Sequence, residues 1–154
     1  MKMFKKTAGR LLALAMIMTM VLAFAACGAP EEEDAAAPVE NPVNVTMEIV
    51  IGLEAAAEGG FEGLAETAFV VEEGSNLQEA FLLFCKANDI SITVNEDIAY
   101  VTEIMGLTEK DYVETTGWIF QVNGEVPSVP AAEIVLVEGD KITWEFVDFA
   151  TYSW

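Results

Sequence analysis

The sequence predicts an α+β domain with one main helix, and three observations support this fold class. Apolar residues alternate with period two at 45–51 and 142–146, which is typical of half-buried strands. A helix-start signal at 75–79 precedes an apolar run. An Asn123-Gly124 pair marks a tight hairpin turn. The segment 44–154 holds about 110 residues, enough for one hydrophobic core and not two, so we assign it to a single domain.

The first 26 residues have the form of a secretory signal peptide. Basic residues come first, and an apolar run interrupted only by Thr19 follows at 11–26. A helix that spans a bilayer needs about 20 apolar residues, and this run is shorter and leads into a burst of acidic residues. We therefore predict that residues 1–26 are a cleaved signal peptide.

Cys27 follows a short segment, Leu22 to Ala26, that resembles the lipobox of bacterial lipoprotein precursors. Acylation there by a diacylglyceryl group would insert two chains, which suits stable anchoring because a single chain binds only marginally. We predict lipidation at Cys27 and a location on the cell membrane, lipid-anchored and facing outside the cytoplasm. The alternative is an ordinary signal peptide cut after Ala26, which leaves Cys27 as a free thiol.

Residues 27–43 consist of the lipidated Cys27 and an acidic segment that is rich in Ala and Pro. We predict that this segment is a disordered linker. Once the signal peptide is removed, 26 acidic residues remain against three lysines, Lys86, Lys110 and Lys141. Because nucleic acid is a polyanion and three lysines cannot assemble a basic patch, a nucleic-acid partner is excluded.

The elements of the domain follow from its periodicity. The predicted strands or extended segments lie at 45–51, 67–71, 90–94, 98–100, 118–122 and 142–146. The first two are expected to pair as a hairpin with a long connection. The helix begins with a capping box at Ser75 or, one residue later, at Asn76, and it ends near Asn88. Residues 106–112 form a polar connection before the Trp118 strand, and this connection is long enough to hold one helical turn.

The absence of histidine from the sequence excludes the familiar Ser-His-Asp and Cys-His nucleophiles and any imidazole metal ligand. The acidic residues show no spacing that singles out a catalytic pair or a calcium loop, so we interpret them as solvated faces. Cys85 falls in the apolar helical run and is predicted to be a buried core thiol; a reactive role is the alternative. We predict no catalytic residue and no metal site. We therefore predict that the protein is not an enzyme.

Six aromatic residues in the last third have two interpretations. They are Trp118, Phe120, Trp144, Phe146, Tyr152 and Trp154. Alternation on the two strands favours the core for the first four. The functional alternative is that some of the six face a groove and stack on a flat ligand.

Three segments near the C-terminal end share a family pattern: GWIFQVNGE at 117–125, PAA at 130–132 and LVEGDKITWEF at 136–146. The order is a Trp strand, an Asn-Gly turn, and a Gly-Asp turn before an aromatic strand. This pattern resembles the transcobalamin C-terminal-like domain, and the likeness covers about residues 45–149. The resemblance implies a β-grasp-like (ubiquitin-like) mixed sheet with one main helix packed across it.

In animal cobalamin carriers a similar domain closes over the corrinoid, so the resemblance also implies candidate ligand-binding residues. They are Trp118, Phe120, Gln121, Asn123 and Gly124. Cobalamin would then be a ligand and not a catalytic cofactor, and no other cofactor is expected.

Anchor, charge and resemblance together predict a non-catalytic, membrane-anchored extracytoplasmic binding lipoprotein. It would capture a corrinoid or cobalamin-like small ligand, or act with an envelope protein partner in an uptake system. The alternative is a structural or adhesive cell-surface domain that mediates protein–protein contact. An exposed aromatic groove would favour the first function, and burial of all three tryptophans would favour the second.

Overall fold

The computed structural model describes residues 39–95 and 100–154. The predicted signal peptide, Cys27 and the linker up to residue 38 lie outside the described residues. The strands are β1 (Pro42–Ile51), β2 (Leu64–Glu72), β3 (Ile92–Asn95), β4 (Tyr100–Ile104), β5 (Leu107–Thr108), β6 (Thr116–Val122) and β7 (Lys141–Asp148). The helices are α1 (Glu54–Glu58), α2 (Leu77–Ala87) and one 3₁₀ turn (Ala131–Glu133). The predicted α+β class with one main helix is confirmed.

The main sheet has four strands in the order β2-β1-β7-β6. β1 pairs antiparallel with β2 and parallel with β7, while β6 pairs antiparallel with β7. A second, three-stranded sheet has the order β3-β4-β5. The predicted hairpin of the first two strands therefore forms, and β1 begins at Pro42, two residues inside the segment predicted as linker.

The core lies on one face of the main sheet. Val45, Met47 and Ile49 of β1 are buried on that face, as period two requires. Ile142, Trp144 and Phe146 of β7 are buried beside them. The intervening residues point to the opposite face, which we call the open face.

Helix α2 begins where the sequence offers its second capping position. The Asn76 side chain accepts a hydrogen bond from the Glu79 backbone N–H at 2.9 Å, so Asn76 and not Ser75 is the cap. The helix ends at Ala87, and the Asn88 side chain donates to the Phe84 carbonyl at 2.8 Å. Cys85 is buried on the sheet side of this helix, as predicted.

Aromatic stacking fixes α2 across the core face. The rings of Phe81 and Trp144 are stacked with centroids 4.4 Å apart, and Phe84 meets Phe69 of β2 edge-on at 5.4 Å. Such pairs contribute about 0.5–1.5 kcal/mol beyond the area that they bury. The helix therefore contacts both the centre and one side of the sheet.

Two local features differ from the sequence prediction. The connection at 106–112 contains the short strand β5 in place of a helical turn, and this strand pairs with β4. The connection between β1 and β2 contains α1, whose Ala56 is buried. Five residues with one buried side chain give too little periodicity to predict a helix. Within the described ranges, no helix is long and apolar enough to cross a membrane.

We expect Phe81→Ala to lower the free energy of unfolding by about 3–5 kcal/mol, because it removes the stack with Trp144 and leaves a cavity. Leu83→Ala, on the exposed side of the same helix, should change it by no more than about 0.5 kcal/mol. Urea unfolding followed by circular dichroism measures both. Equal effects of the two variants would contradict this packing.

Candidate functional site

Trp118 lies in the core and not at a surface. Its side chain is 1% exposed, and its Nε1 donates a hydrogen bond to the Leu107 carbonyl oxygen at 2.9 Å. Its ring meets Phe146 edge-on at 5.2 Å. Among the two interpretations of this residue, the structure therefore favours the core, where Trp118 joins β6 to β5.

Phe120 shares the core face with Trp118. It is half-buried, and its ring is tilted against that of Trp144 at 5.3 Å. Trp144 is also buried, and within the described chain its Nε1 has no hydrogen-bond partner. Two of the three tryptophans thus belong to the core.

Gln121 lies on the open face, where it joins a strand to the C-terminal tail. Its side-chain amide donates to Glu145 Oε2 at 3.1 Å and to the Tyr152 hydroxyl at 3.0 Å. Beside it, the Thr143 hydroxyl donates to Glu48 Oε1 at 2.6 Å. The open face therefore carries a polar network in place of apolar packing.

Asn123 and Gly124 form the tight turn that the sequence predicts. Both have positive φ, 55° and 82°, as a type I′ turn requires, and Val122 and Glu125 exchange backbone hydrogen bonds across it. The Asn123 side chain donates to Asp140 Oδ1 at 2.9 Å and accepts from the Lys141 N–H at 3.0 Å. Asn123 therefore ties this turn to the start of β7.

Two open concavities adjoin the Asn123-Gly124 turn. The first, here called the polar cleft, has a volume of about 530 Å³ and lies over the open face, with Gln121, Asn123 and Glu145 among its lining residues. The second, the tail groove, has a volume of about 660 Å³ and is lined by residues 124–128 and 152–154. Of the five predicted ligand-binding residues, Gln121, Asn123 and Gly124 line these concavities, whereas Trp118 and Phe120 do not.

The tail groove has an aromatic wall that the candidate set omitted. The rings of Tyr152 and Trp154 lie at 74° with centroids 5.2 Å apart, and Phe149 stacks on Trp154 at 6.4 Å. Trp154 is 73% exposed. From the sequence alone, Tyr152 and Trp154 are two of six aromatic residues with no ranking among them. Both follow the last alternating strand, so the period-two pattern that predicts burial does not extend to them. This position is the sequence feature that distinguishes them from the four strand aromatics.

Burial perturbs the pKa values of two hydrogen-bonded groups on the open face, Glu145 and Tyr152. Desolvation raises the pKa of Glu145, hydrogen bonds from Tyr152 and Gln121 oppose that rise, and the charge of Glu48 adds to it. The pKa of Tyr152 is raised as well, first by burial and then by the charge of Glu145. The Glu145 carboxyl group therefore loses its proton less readily than a solvent-exposed glutamate does.

The described residues offer little for covalent or metal chemistry. Burial raises the pKa of the Cys85 thiol to about 12, so the thiolate nucleophile is scarce at neutral pH. In the ranges 39–95 and 100–154, no three His, Cys, Asp or Glu side chains converge to hold a metal ion.

Residues 74–148 match the family described as a domain of unknown function, DUF4430. Among solved structures the chain is similar to haptocorrin in complex with Cbi, at 20% identity and a TM-score of 0.57 over 72% of this chain. The chain spans about a quarter (26%) of the length of that protein. This likeness establishes a shared fold.

A lower similarity links the chain to a proposed metal-binding protein from Ruminococcus gnavus ATCC 29149, at 15% identity and a TM-score of 0.46. It covers 69% of this chain and 97% of that protein. A comparison with curated proteins gives no match.

We expect Glu145→Gln to stabilise the protein increasingly as pH rises from about 4 to about 7. A carboxyl with a raised folded-state pKa contributes stability below its unfolded pKa and loses that contribution as pH rises through its folded pKa. The amide variant keeps an acceptor for Gln121 and does not titrate. Urea unfolding of variant and parent across this range measures the difference.

Glu73→Gln, in the exposed turn after β2, provides the matched control, because it removes a carboxylate outside the network. It shows what the removal of an exposed carboxylate does by itself. A pH dependence of Glu145→Gln no larger than that of Glu73→Gln would show that the environment of Glu145 does not disfavour its charge.

Proposed function

We propose that this protein is a non-catalytic binding lipoprotein of the cell envelope that captures a small ligand at the tail groove. The observation that carries the proposal is the 73% exposure of Trp154 in a groove of about 660 Å³. Aromatic side chains line many ligand sites, where they stack on flat groups. The exposed ring of Trp154 is available for such a contact.

The topology supports the β-grasp-like class, in a domain that starts with β1 at Pro42 and so two residues before the predicted boundary at 44. The two central strands, β1 and β7, are parallel and come from opposite ends of the domain, with β2 and β6 outside them. One long helix, α2, packs across one face. These are the features that the resemblance to transcobalamin C-terminal-like domains implies.

A corrinoid is the first ligand class to test. Haptocorrin, which shares the fold, was solved in complex with Cbi. The groove borders the Asn123-Gly124 turn, the part of this chain on which the resemblance placed ligand contacts. The aromatic contact would come from Trp154 of the tail, since Trp118 is buried.

The proposed location is the outer side of a cell membrane, with acylated Cys27 as the anchor. The basic start, the apolar run at 11–26 and the small residues before Cys27 support it. The lack of histidine in the sequence and the buried Cys85 thiol support a non-enzymatic role. Capture near the membrane would suit delivery to an uptake protein in the same envelope.

A second candidate is a surface domain that binds another protein. Val135 and Val137 precede β7, and each is 58% exposed. Apolar side chains that stay exposed in pairs are typical of contact surfaces when they belong to a larger patch. This function would leave the tail groove without a ligand.

The test is a titration of the full-length chain, solubilised in nonionic detergent, with cobinamide and cobalamin, using calorimetry and Trp fluorescence. We expect one-to-one binding that weakens at least about tenfold in Trp154→Ala, because an aromatic anchor dominates such contacts. Trp154→Ala should leave the free energy of unfolding within about 0.5 kcal/mol of the parent.

Leu83→Ala, an exposed truncation on α2, is the matched control and should bind as the parent does. Absence of binding by the parent at high micromolar corrinoid would remove this ligand class. Binding that survives Trp154→Ala unchanged would move the site away from the tail groove.

A further inference from the structure

Asn123 is the only asparagine of the sequence that a glycine follows. Every other asparagine precedes a residue that carries a side chain. Because glycine has no Cβ, the backbone nitrogen of Gly124 is unshielded toward the Asn123 side chain, and asparagine is among the thermolabile residues of proteins. The pair that forms the turn after β6 is therefore also a candidate site of covalent modification.

The reaction that threatens such a pair needs only the two residues and water. The Gly124 backbone nitrogen bonds to the side-chain carbonyl carbon of Asn123, the bond from that carbon to Nδ2 breaks, and Nδ2 leaves as ammonia with the proton of the Gly124 N–H. A water molecule then opens the cyclic imide and leaves an aspartate or isoaspartate in place of the asparagine. The side chain exchanges a neutral amide for a carboxylate, with no change in oxidation state.

The native turn restrains the side chain that reacts. Asn123 Nδ2 donates to Asp140 Oδ1 at 2.9 Å, and Asn123 Oδ1 accepts from the Lys141 backbone N–H at 3.0 Å. We call these two hydrogen bonds the latch. The Asn123 backbone N–H also donates to the Lys141 carbonyl at 2.8 Å. Because the reaction expels Nδ2, it must break the bond to Asp140, and the latch therefore raises its barrier.

Asp140 makes the product of this reaction incompatible with the native turn. Its residue is only 7% exposed, and its Oδ2 accepts from the Val137 backbone N–H at 2.9 Å. A carboxylate at position 123 has no proton to donate to Oδ1 and brings a second negative charge against it. In the described part of the chain the Lys141 ammonium pairs with Glu66, and no ion pair involves Asp140. The two carboxylates would therefore face each other without a neutralising cation.

We propose that Asn123 is a deamidation site that the latch keeps slow, and that the deamidated side chain cannot form the latch again. Modification is then an irreversible step that loosens the end of β6 from the start of β7. It also adds a negative charge to the polar cleft, which Asn123 lines. This inference is independent of ligand capture at the tail groove, and it gives aged molecules a lower stability than new ones.

The first experiment follows deamidation by peptide mapping and mass spectrometry, on the full-length chain in nonionic detergent at mildly alkaline pH. In urea, Asn123 should react faster than Asn44 and Asn88, which serve as internal controls. The native protein should react at Asn123 about tenfold more slowly than the unfolded chain, because a hydrogen bond to a charged group must break. Asp140→Asn should remove most of this protection, since an amide has one acceptor oxygen where the carboxylate has two.

A charge swap tests the product. Asn123→Asp imitates the deamidated chain and should raise the ratio of unfolded to folded protein about tenfold, measured by urea unfolding. Adding Asp140→Asn should reverse most of this loss, because the new amide can donate to the carboxylate at position 123 while its oxygen accepts from the Val137 N–H. Asn76→Asp is the matched control: it adds the same charge where the side chain only accepts a bond, from the Glu79 N–H, and should not destabilise.

Equal rates at Asn123 in the native and unfolded chains, or no reaction there in urea, would overturn the assignment of a protected deamidation site. An Asn123→Asp variant as stable as the parent would show that the product fits the native turn. A loss of stability that Asp140→Asn does not reverse would overturn the role of the two facing carboxylates.

Discussion

The parallel ladder between β1 and β7 is the constraint on which the rest of the domain depends. Its residues are far apart in the chain: Glu48 and Thr143, which face each other across it, are separated by 95 positions. A parallel pair of this kind needs a long crossover, and α2 and the second sheet lie within that crossover. Since β2 and β6 each pair with only one of the two central strands, the main sheet exists only when this ladder closes.

The ladder also decides what each face of the sheet can do. Period two sends Trp144 and Phe146 to the core face, where Phe81 and Trp118 meet them. The residues between them, Thr143 and Glu145, must then lie on the open face. There they bond to Glu48 and Gln121, and the C-terminal tail attaches through Tyr152. The same strand therefore contributes apolar side chains to the core on one face and polar side chains to the hydrogen-bond network on the other.

The sequence predicts the α+β class with one main helix, and it leaves open which of the candidate residues line a concavity. The strands around Val45 and Ile142 alternate, and Asn123-Gly124 has the chemistry of its turn, so local patterns place them correctly. The α1 turn and β5 depend on tertiary contacts and have no such pattern. Trp118 illustrates the limit at the site: period two places it on one face of a strand, but which face is buried depends on where α2 packs. Trp154 lies outside any alternating segment, so no sequence pattern predicts its surroundings. Its place at the border of a groove is visible only in the folded structure.

The edge strand β2 has a consequence for how two copies of the protein can approach each other. Its outer side has no strand partner among the described residues, and such an edge is a template for pairing with a second copy. Glu72 at the end of this strand and Glu73 directly after it are exposed. Two copies that approached edge to edge would bring like charges together before backbone hydrogen bonds could form. Neighbouring molecules can therefore stand close without joining their sheets.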